Sequence, residues 1–514
     1  MADIVALLRL TMDDQEAFAR LSGDRNPIHM DAAAARRTQA GACVAHGMHI
    51  LLWAIENLAS SGVDLSRLKG ARAKFVSFVP VGSLARLSIS RDSGDELRIE
   101  VARDDGVAMI ARLDFSGVPP RRLDRPFPSI VIPATPLEPD FGDLPGSAGR
   151  FHVSADAIQQ AEAMFPTLCQ ALGISALCEL ALMSTVVGMV APGLHSILSE
   201  ISVKLAEPSS NDAGLGFAVA RADSRFRRVD IEVEGKQVVG NIAAFARLAP
   251  PPVPSIREAA ALVAPGEFRD RRALVVGGSR GLGAATATLL AAGGACVTLS
   301  YCEAQQDADL VADDIRRACG IRSCEVIRYD AGAPAAAQLS ALPSALTHAY
   351  YFATPRIFGG SSAIYTRCRL DCFLSIYVDG FVDLIKTILQ LQGPMPLTAL
   401  YPSTVAIDER PTRMTEYAMA KAAGEIVCAD LVRAVPGLTI TAPRLPRVAT
   451  AQTATVPPVS AADPLAVMLP LLRQQAGREL FARNGEALRP ALVESRPLSE
   501  LRNSDIRPFE ARTG

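Results

Sequence analysis

The chain has 514 residues, 49% of them hydrophobic and 21% charged, with 52 Lys and Arg against 54 Asp and Glu. That length predicts two to four domains, and a net charge of −2 with bases scattered among acids argues against nucleic acid or an anionic membrane as partner. Ten cysteines without CxxC or metal-ligand spacing predict free thiols of a reducing compartment, with no metal centre.

In chain order, residues 1–10 carry Asp3 and no basic region before their apolar positions. They read as the start of a strand or helix and not as a signal peptide, which predicts a cytoplasmic protein. A helix over 12–21 breaks at Ser22-Gly23, and Asp24-Arg25-Asn26-Pro27-Ile28-His29-Met30-Asp31 follows. Asn26-Pro27 favours a turned or extended geometry. It sets a carboxylate, Asp24, and an imidazole, His29, on one bent loop, where two groups can move protons on neighbouring substrate atoms. The same spacing also suits a capped turn beside a structural histidine.

A helix over 44–59 opens with His46-Gly47-Met48 and stops at Ser60-Ser61-Gly62. Strands are predicted at 71–78, 83–91, 96–103 and 107–115, giving a sheet wrapped around one helix. Gly47 at the helix start can offer a backbone N–H to a substrate oxygen, aided by the helix dipole. After a proline-rich linker at 118–147 the order repeats, with helical stretches at 155–172 and 174–190. Strands follow at 194–205, 216–223, 226–234 and 236–248. The most apolar stretch, 175–198, contains Glu179, Gly188, Pro192, Gly193 and His195, which favours a core helix and turn over a membrane span. The second copy has Glu162 but no partner for the Asp24–His29 pattern, and His195 reads as structural.

Beyond a second linker at 250–268 the texture changes to short apolar strands (273–276, 296–299, 325–329, 349–352, 397–401, 438–442) alternating with helices, the mark of a doubly wound α/β unit. Gly277-Gly278-Ser279-Arg280-Gly281-Leu282-Gly283 joins the first strand to its helix. The glycines permit a tight turn and close approach of a pyrophosphate to the helix N-terminus. Downstream stand Ser403 and Tyr417-Ala418-Met419-Ala420-Lys421. A lysine one turn from a tyrosine lowers the phenol's pKa, the phenol then protonates a forming alkoxide, and the serine orients a carbonyl. A chance surface pair is the alternative for Tyr417 and Lys421 taken alone.

The run from Phe18 to Asp31, with His46-Gly47-Met48, resembles the MaoC-like hydratases of hotdog fold, which are (R)-specific enoyl-thioester hydratases or dehydratases. The resemblance implies Asp24 and His29 as the catalytic dyad, with Ser22 and Asn26 shaping its loop. The second copy is similar to a degenerate hotdog partner that supplies part of the acyl pocket. Residues 270–450 resemble the short-chain dehydrogenase/reductase (SDR) family, in particular 3-oxoacyl-thioester reductases. This implies Ser403, Tyr417 and Lys421 as catalytic residues. It implies a cofactor site at Gly277, Ser279, Arg280, Gly281, Leu282, Gly283, Ser300, Asp330 and Pro443, together with Tyr417 and Lys421. The second strand ends in Ser300-Tyr301-Cys302 without an acid for a ribose diol, and Arg280 is placed to meet a 2′-phosphate. Both favour NADP(H). Three positions depart from the family pattern: Ala353-Thr354-Pro355 replaces Asn-Ala-Gly, Tyr377 aligns with the tetrad asparagine, and Arg444 follows Pro443 where glycine is usual.

The expected architecture is an α+β double hotdog followed by an α/β Rossmann-type doubly wound parallel sheet. Its domains are a catalytic hotdog (1–117), a linker (118–147), a degenerate hotdog (148–249), a linker (250–268), an SDR domain (269–463) and a C-terminal helix and tail (464–514). The expected function is bifunctional: NADPH-dependent reduction of a 3-oxoacyl thioester, then dehydration of the (R)-3-hydroxy product to a trans-2-enoyl thioester, in fatty-acid or polyketide-like biosynthesis. The alternative keeps the hydratase and makes the SDR domain a weak reductase, a nucleotide-binding platform or an oligomerisation platform. Acyl-CoA or acyl-carrier-protein thioesters are the expected partners. A homodimer or tetramer through a helix over 371–391 is the family expectation.

Overall fold

The computed structural model describes residues 3–116, 125–206, 214–340, 342, 345–358, 365–393, 395–453 and 459–483. The expected first linker lies partly outside these residues, and the tail beyond 483 wholly so. The chain divides into two compact units, Met1–Leu469 and Pro470–Gly514.

Ten strands form one antiparallel sheet: β1 (Asp3–Leu8), β2 (Gly70–Phe75), β3 (Ala85–Asp92), β4 (Glu96–Arg103), β5 (Gly106–Asp114), β6 (Ala148–His152), β7 (Ser196–Leu205), β8 (Gly214–Asp223), β9 (Arg228–Glu234) and β10 (Val238–Ala246). Their spatial order, β1-β3-β4-β5-β2-β7-β10-β9-β8-β6, reads as one five-stranded half followed by its copy in reverse. The halves join where β2 pairs antiparallel with β7, from Gly70 opposite Lys204 to Lys74 opposite Glu200. Gly70 is needed at that seam, because a Cβ there would lie 2.7 Å from the Val203 carbonyl oxygen.

Each half wraps an apolar helix. In the first half α1 (Met12–Ser22), α2 (Pro27–Met30) and α3 (Ala32–Arg36) lead to α4 (Gly47–Ser60), whose Met48, Leu51, Leu52, Ala54, Ile55 and Leu58 are buried. In the second, α5 (Ala155–Met164) and α6 (Pro166–Leu172) lead to α7 (Ile174–Thr185). This helix is buried around almost its whole circumference and ends in a π-helical turn, Val186–Val190. A helix apolar on every side belongs in a core, and no single helix among the described residues is long and apolar enough to cross a membrane.

The described part of the proline-rich segment before β6 is an ordered strap. Leu137 donates its N–H to Met189 O at 2.8 Å and accepts from Leu194 N at 2.8 Å, which pins the strap to the π turn. Its lack of periodicity concealed this, because an extended strap satisfies its backbone groups one at a time.

After α8 (Ile256–Ala260) a six-stranded parallel sheet forms from β11 (Arg272–Val276), β12 (Cys296–Tyr301), β13 (Cys324–Arg328), β14 (His348–Tyr351), β15 (Leu397–Leu400) and β17 (Leu438–Thr441), in the order β13-β12-β11-β14-β15-β17. A two-residue pair, β16 (Ser403–Thr404) with β18 (Arg444–Leu445), stands beside it. Order 3-2-1-4-5-6 is the Rossmann arrangement, whose ligands bind outside the carboxyl ends of the strands. The helices are α9 (Gly281–Ala292), α10 (Gln305–Cys319), α11 (Ala335–Leu339), α12 (Arg367–Leu374), α13 (Phe381–Gln392), α14 (Ala406–Glu409), α15 (Thr415–Ala434) and α16 (Pro464–Arg483). A second π turn, Ser375–Gly380, joins α12 to α13. All ten cysteines are free.

Candidate active site

The Asp24 loop is built by local caps. Gly23 ends α1 at φ 84°, and a Cβ there would lie 2.7 Å from Ile132 Cδ1 as well as straining the backbone. Asn26 caps α2 through its side-chain oxygen, which accepts from Ile28 N at 3.2 Å, and its amide donates to Gly188 O at 2.8 Å and Gly193 O at 3.1 Å. That amide ties the loop to the second half of the sheet.

Asp24 is fully buried. Its carboxylate accepts from Ser184 Oγ at 2.7 Å and from Asn26 N at 3.0 Å. His29 is half-buried, and its Nδ1 lies 2.7 Å from Val44 O. A carbonyl only accepts, so Nδ1 carries the proton and a neutral ring keeps a lone pair on Nε2. Polar atoms of Asp24, His29 and His46 lie within 4.8 Å of one another, and the His29 and His46 rings stack with centroids 3.8 Å apart. Three such groups could hold a metal, but His46 turns Nε2 to Asp24 O at 3.1 Å and Nδ1 to Gln15 Oε1 at 2.8 Å. Those contacts suit a ring that positions the loop.

Burial pushes the Asp24 pKa up, against the pull of His29, Ser184 and Asn26. It pushes His29 down, and the buried Arg247 adds to that, while Asp24 and Val44 O oppose it. Both groups are thereby moved toward their neutral forms. Gly47 is the first residue of α4, half-buried, and no acceptor meets its N–H among the described residues. Its neighbours are apolar: a Cβ there would be 3.1 Å from Phe75 Cε1 and from Leu198 Cδ2.

The second half supplies what the sequence reading missed. Gly188, in the π turn, faces Asp24 so closely that a Cβ would lie 2.4 Å from Oδ1. Ser184 comes from the last turn of α7 and Arg247 from the end of β10. The available signal was a lone glycine, with Ser184-Thr185, inside an apolar helical run. The concavity of about 530 Å³ on the sheet's other surface, lined by Arg72, Lys74, Arg98 and Glu200 among others, includes none of the dyad residues.

In the parallel-sheet region the glycine-rich turn forms as expected. Gly277 has φ 74°, and a Cβ on Gly283 would lie 2.1 Å from Gly277 O. Gly277 N donates to Ser300 Oγ at 3.2 Å and Gly278 N to Ser300 O at 2.9 Å, so Ser300 braces the turn. No acceptor meets the amides of Ser279 to Gly283 among the described residues. This is a donor set that fits a pyrophosphate. Asp330 Oδ1 accepts from Gly332 N at 2.8 Å.

At the other end the polar groups are engaged internally. Ser403 Oγ donates to Glu425, which also takes a bidentate pair from Arg444 at 2.9 and 2.7 Å; Arg444 reaches Asp408 at 2.7 Å as well. Arg444 therefore projects into an ion-pair network and shares its acid with Ser403. Lys421 Nζ donates to Pro402 O at 2.6 Å and sits 3.9 Å from the Tyr377 ring centroid. Tyr377 hydrogen-bonds Thr354 Oγ1 at 2.5 Å and packs edge-on to Tyr417 at 5.8 Å. Burial lowers Lys421 to about 7 and raises Tyr417, with Thr404 opposing. The expected lowering of the Tyr417 phenol by Lys421 is not what this geometry gives, because desolvation dominates and Lys421 faces Tyr377. Glu425 was missed, although its place one turn beyond Lys421 on the same face was visible.

The MaoC like domain family matches residues 4–108. No curated protein matches the chain. Solved structures similar to the C-terminal region include a short chain dehydrogenase from Burkholderia cenocepacia J2315 in complex with NADP, 23% identical over 40% of this chain and 90% of that one, TM-score 0.36. Another is the RhlG/NADP active-site complex of Pseudomonas aeruginosa, 23% identical over 37% and 77%, TM-score 0.32. A third is a short chain dehydrogenase from Pseudomonas syringae, 21% identical over 41% and 90%, TM-score 0.37. The chain thus carries a MaoC-like dehydratase domain over residues 4–108 and a C-terminal region structurally similar to short-chain dehydrogenases/reductases.

Proposed function

We propose that the first site interconverts (R)-3-hydroxyacyl and trans-2-enoyl thioesters, carried on CoA or a carrier protein, by addition or removal of water. The observation that carries this reading is a buried carboxyl and an imidazole within 4.8 Å, both moved toward neutrality, with Gly47, the residue after His46, offering an N–H that meets no acceptor among the described residues. In the dehydration direction the basic member of the pair removes the C2 proton, and Gly47 N–H steadies the enolate-like oxygen. The C3–O bond breaks, the C2=C3 bond forms, and the acidic member gives a proton to the departing hydroxyl, leaving water. The pair carries the same net charge before and after.

The second site then reduces a 3-oxoacyl thioester to the substrate of the first, in a fatty-acid or polyketide-like sequence. NADPH, when bound, supplies the hydride; the turn from Gly277 to Gly283 would hold its pyrophosphate, Arg280 its 2′-phosphate, and Lys421 and Pro443 the nicotinamide end. Tyr417 would protonate the forming alkoxide and Ser403 orient the carbonyl. A second reading, favoured by Ser403 on Glu425 and by Lys421 on the Tyr377 ring, keeps the dehydratase and makes reduction weak or altered. Asp24→Ala and His29→Ala should each abolish hydration of a 2-enoyl thioester, and full activity in either would refute the dyad. NADPH consumption with 3-oxoacyl-CoA and 3-oxoacyl-carrier-protein substrates separates the two readings of the second site. Rapid consumption by either favours coupled reduction, and none with both favours the second reading.

A further inference from the structure

The segment that follows the dyad loop lies across the carboxyl edge of the parallel sheet, where a Rossmann unit takes its ligand. Asp31 caps α3, and five residues later Arg36 O accepts a hydrogen bond from Arg280 Nη1, the arginine of the glycine-rich turn. Arg36 Nη1 lies 3.5 Å from Glu303 Oε2, and Arg37 pairs with Asp307. Farther along, a Cβ on Gly41 would lie 3.7 Å from Arg356 Cδ, in the loop after β14. The antiparallel domain thus touches both the turn that begins the dinucleotide groove and the loop beside its far end.

Three guanidinium groups, Arg36, Arg37 and Arg280, converge here against two carboxylates, Glu303 and Asp307, which leaves a positive excess. Arg36 Nε is buried with no hydrogen-bond partner among the described residues. The Arg36 side chain as a whole is 22% exposed, and an unpaired N–H on a largely buried cation is costly unless an acceptor completes it. The turn's amides from Ser279 to Gly283 stand ready for the pyrophosphate a few residues away. Guanidinium forks match phosphate oxygens in shape as well as charge. Glu303 and Asp307 each pair with one of these arginines, and Asp307 Oδ2 is buried without a hydrogen-bond partner among the described residues, so the phosphate must displace or outweigh them.

We propose that Arg36 and Arg37 of the MaoC-like domain complete, with Arg280, a composite site for the 2′-phosphate of a phosphorylated dinucleotide. The proposal rests on the NADP(H) reading above and adds that the dehydratase domain supplies part of the cofactor site. Discrimination between NADPH and NADH is then a property of two domains.

The test is binding, followed by the fluorescence of NADPH and of NADH titrated with the full chain at low and at physiological salt. Arg36→Ala and Arg37→Ala should each weaken NADPH about tenfold, as expected for one charge-assisted contact, and leave NADH affinity unchanged. Arg36→Lys and Arg37→Lys should recover part of the loss, and NADH binding reports that the groove is folded. If the wild type prefers NADPH but the alanine variants keep that preference, or lose both nucleotides equally, the arginines only dock the domains and this inference is overturned. If the wild type binds both nucleotides equally or binds neither, the NADP(H) reading fails as well.

Discussion

Both candidate sites are built against a π turn, and the two turns do opposite things. Val186–Val190 presents Gly188 to Asp24, and Ser375–Gly380 presents Tyr377 to Lys421. Such turns recur at functional sites because they rotate one residue out of helical register. With glycine at that position, Asp24 keeps its place beside His29, whose Nδ1 is held by Val44 O. With tyrosine there, the ring covers the lysine, and the remaining donors close on one another. The comparison shows that the residue a π turn presents decides how much of the surrounding donor and acceptor capacity the fold itself consumes.

The largest effect should come from removing the dyad. Asp24→Asn keeps the volume and deletes the carboxyl. Enoyl-thioester hydration should then fall by about 10³-fold, within the range for general acid–base catalysis, with circular dichroism unchanged. Next is Gly188→Ala. Its methyl would start 2.4 Å from Asp24 Oδ1, so carboxylate or π turn must shift. Misplacement on that scale should lower kcat by about 10²-fold, and an unaltered kcat would mean that the contact with the second half is incidental.

Much of the frame was legible beforehand. The strands around α4 and α7 announced themselves by alternation and turn residues, and the six parallel strands by short apolar runs. β1 and β6 were harder to read because they are edge strands: β1 leaves Ile4 and Leu7 exposed, so its pattern resembles that of any surface segment. At the site, Asp24 and His29 lie on one short loop, five positions apart, and were therefore visible. Ser184 and Gly188 come from 160 and more residues away, and the seam between β2 and β7, the packing of α1 and α4 on the second half's helices and the Asn26 amide bring them in. The fate of Ser403 was hidden for the same reason in reverse. Its residue type fits the motif, but Glu425 and Arg444 claim it through a contact that no local pattern encodes.

Glu425→Gln tests that claim directly. It weakens the bidentate pair with Arg444 and the bond to Ser403, and should raise the rate of NADPH-dependent 3-oxoacyl reduction several-fold if sequestration limits the site. A fall would show instead that Glu425 aims the serine productively. The stability change should be small, about 0–1 kcal/mol, because Arg444 is 40% exposed and exposed pairs contribute little.

The smallest effects separate the two regions by pH. Burial lowers His49, stacked on Phe18 at 4.7 Å, to about 4, and lowers Lys421 to about 7. For both, the folded pKa lies below the unfolded one, so between the two values the unfolded chain binds more protons and stability rises with pH. The contribution of His49 is therefore lost as pH falls from about 6.5 to about 4. That of Lys421 is lost in a separate window, from about 10.5 down to about 7. Each slope is at most about 1.4 kcal/mol per pH unit. Local hydrogen exchange in α4 and α15 resolves the windows without assuming that the domains unfold together. Lys421→Met should flatten the pH dependence of α15 above neutrality and leave that of α4 in acid untouched, and His49→Leu should do the converse. If either substitution flattened both windows, the regions would open as one unit, and the contrast between their buried basic groups would not be separable by titration.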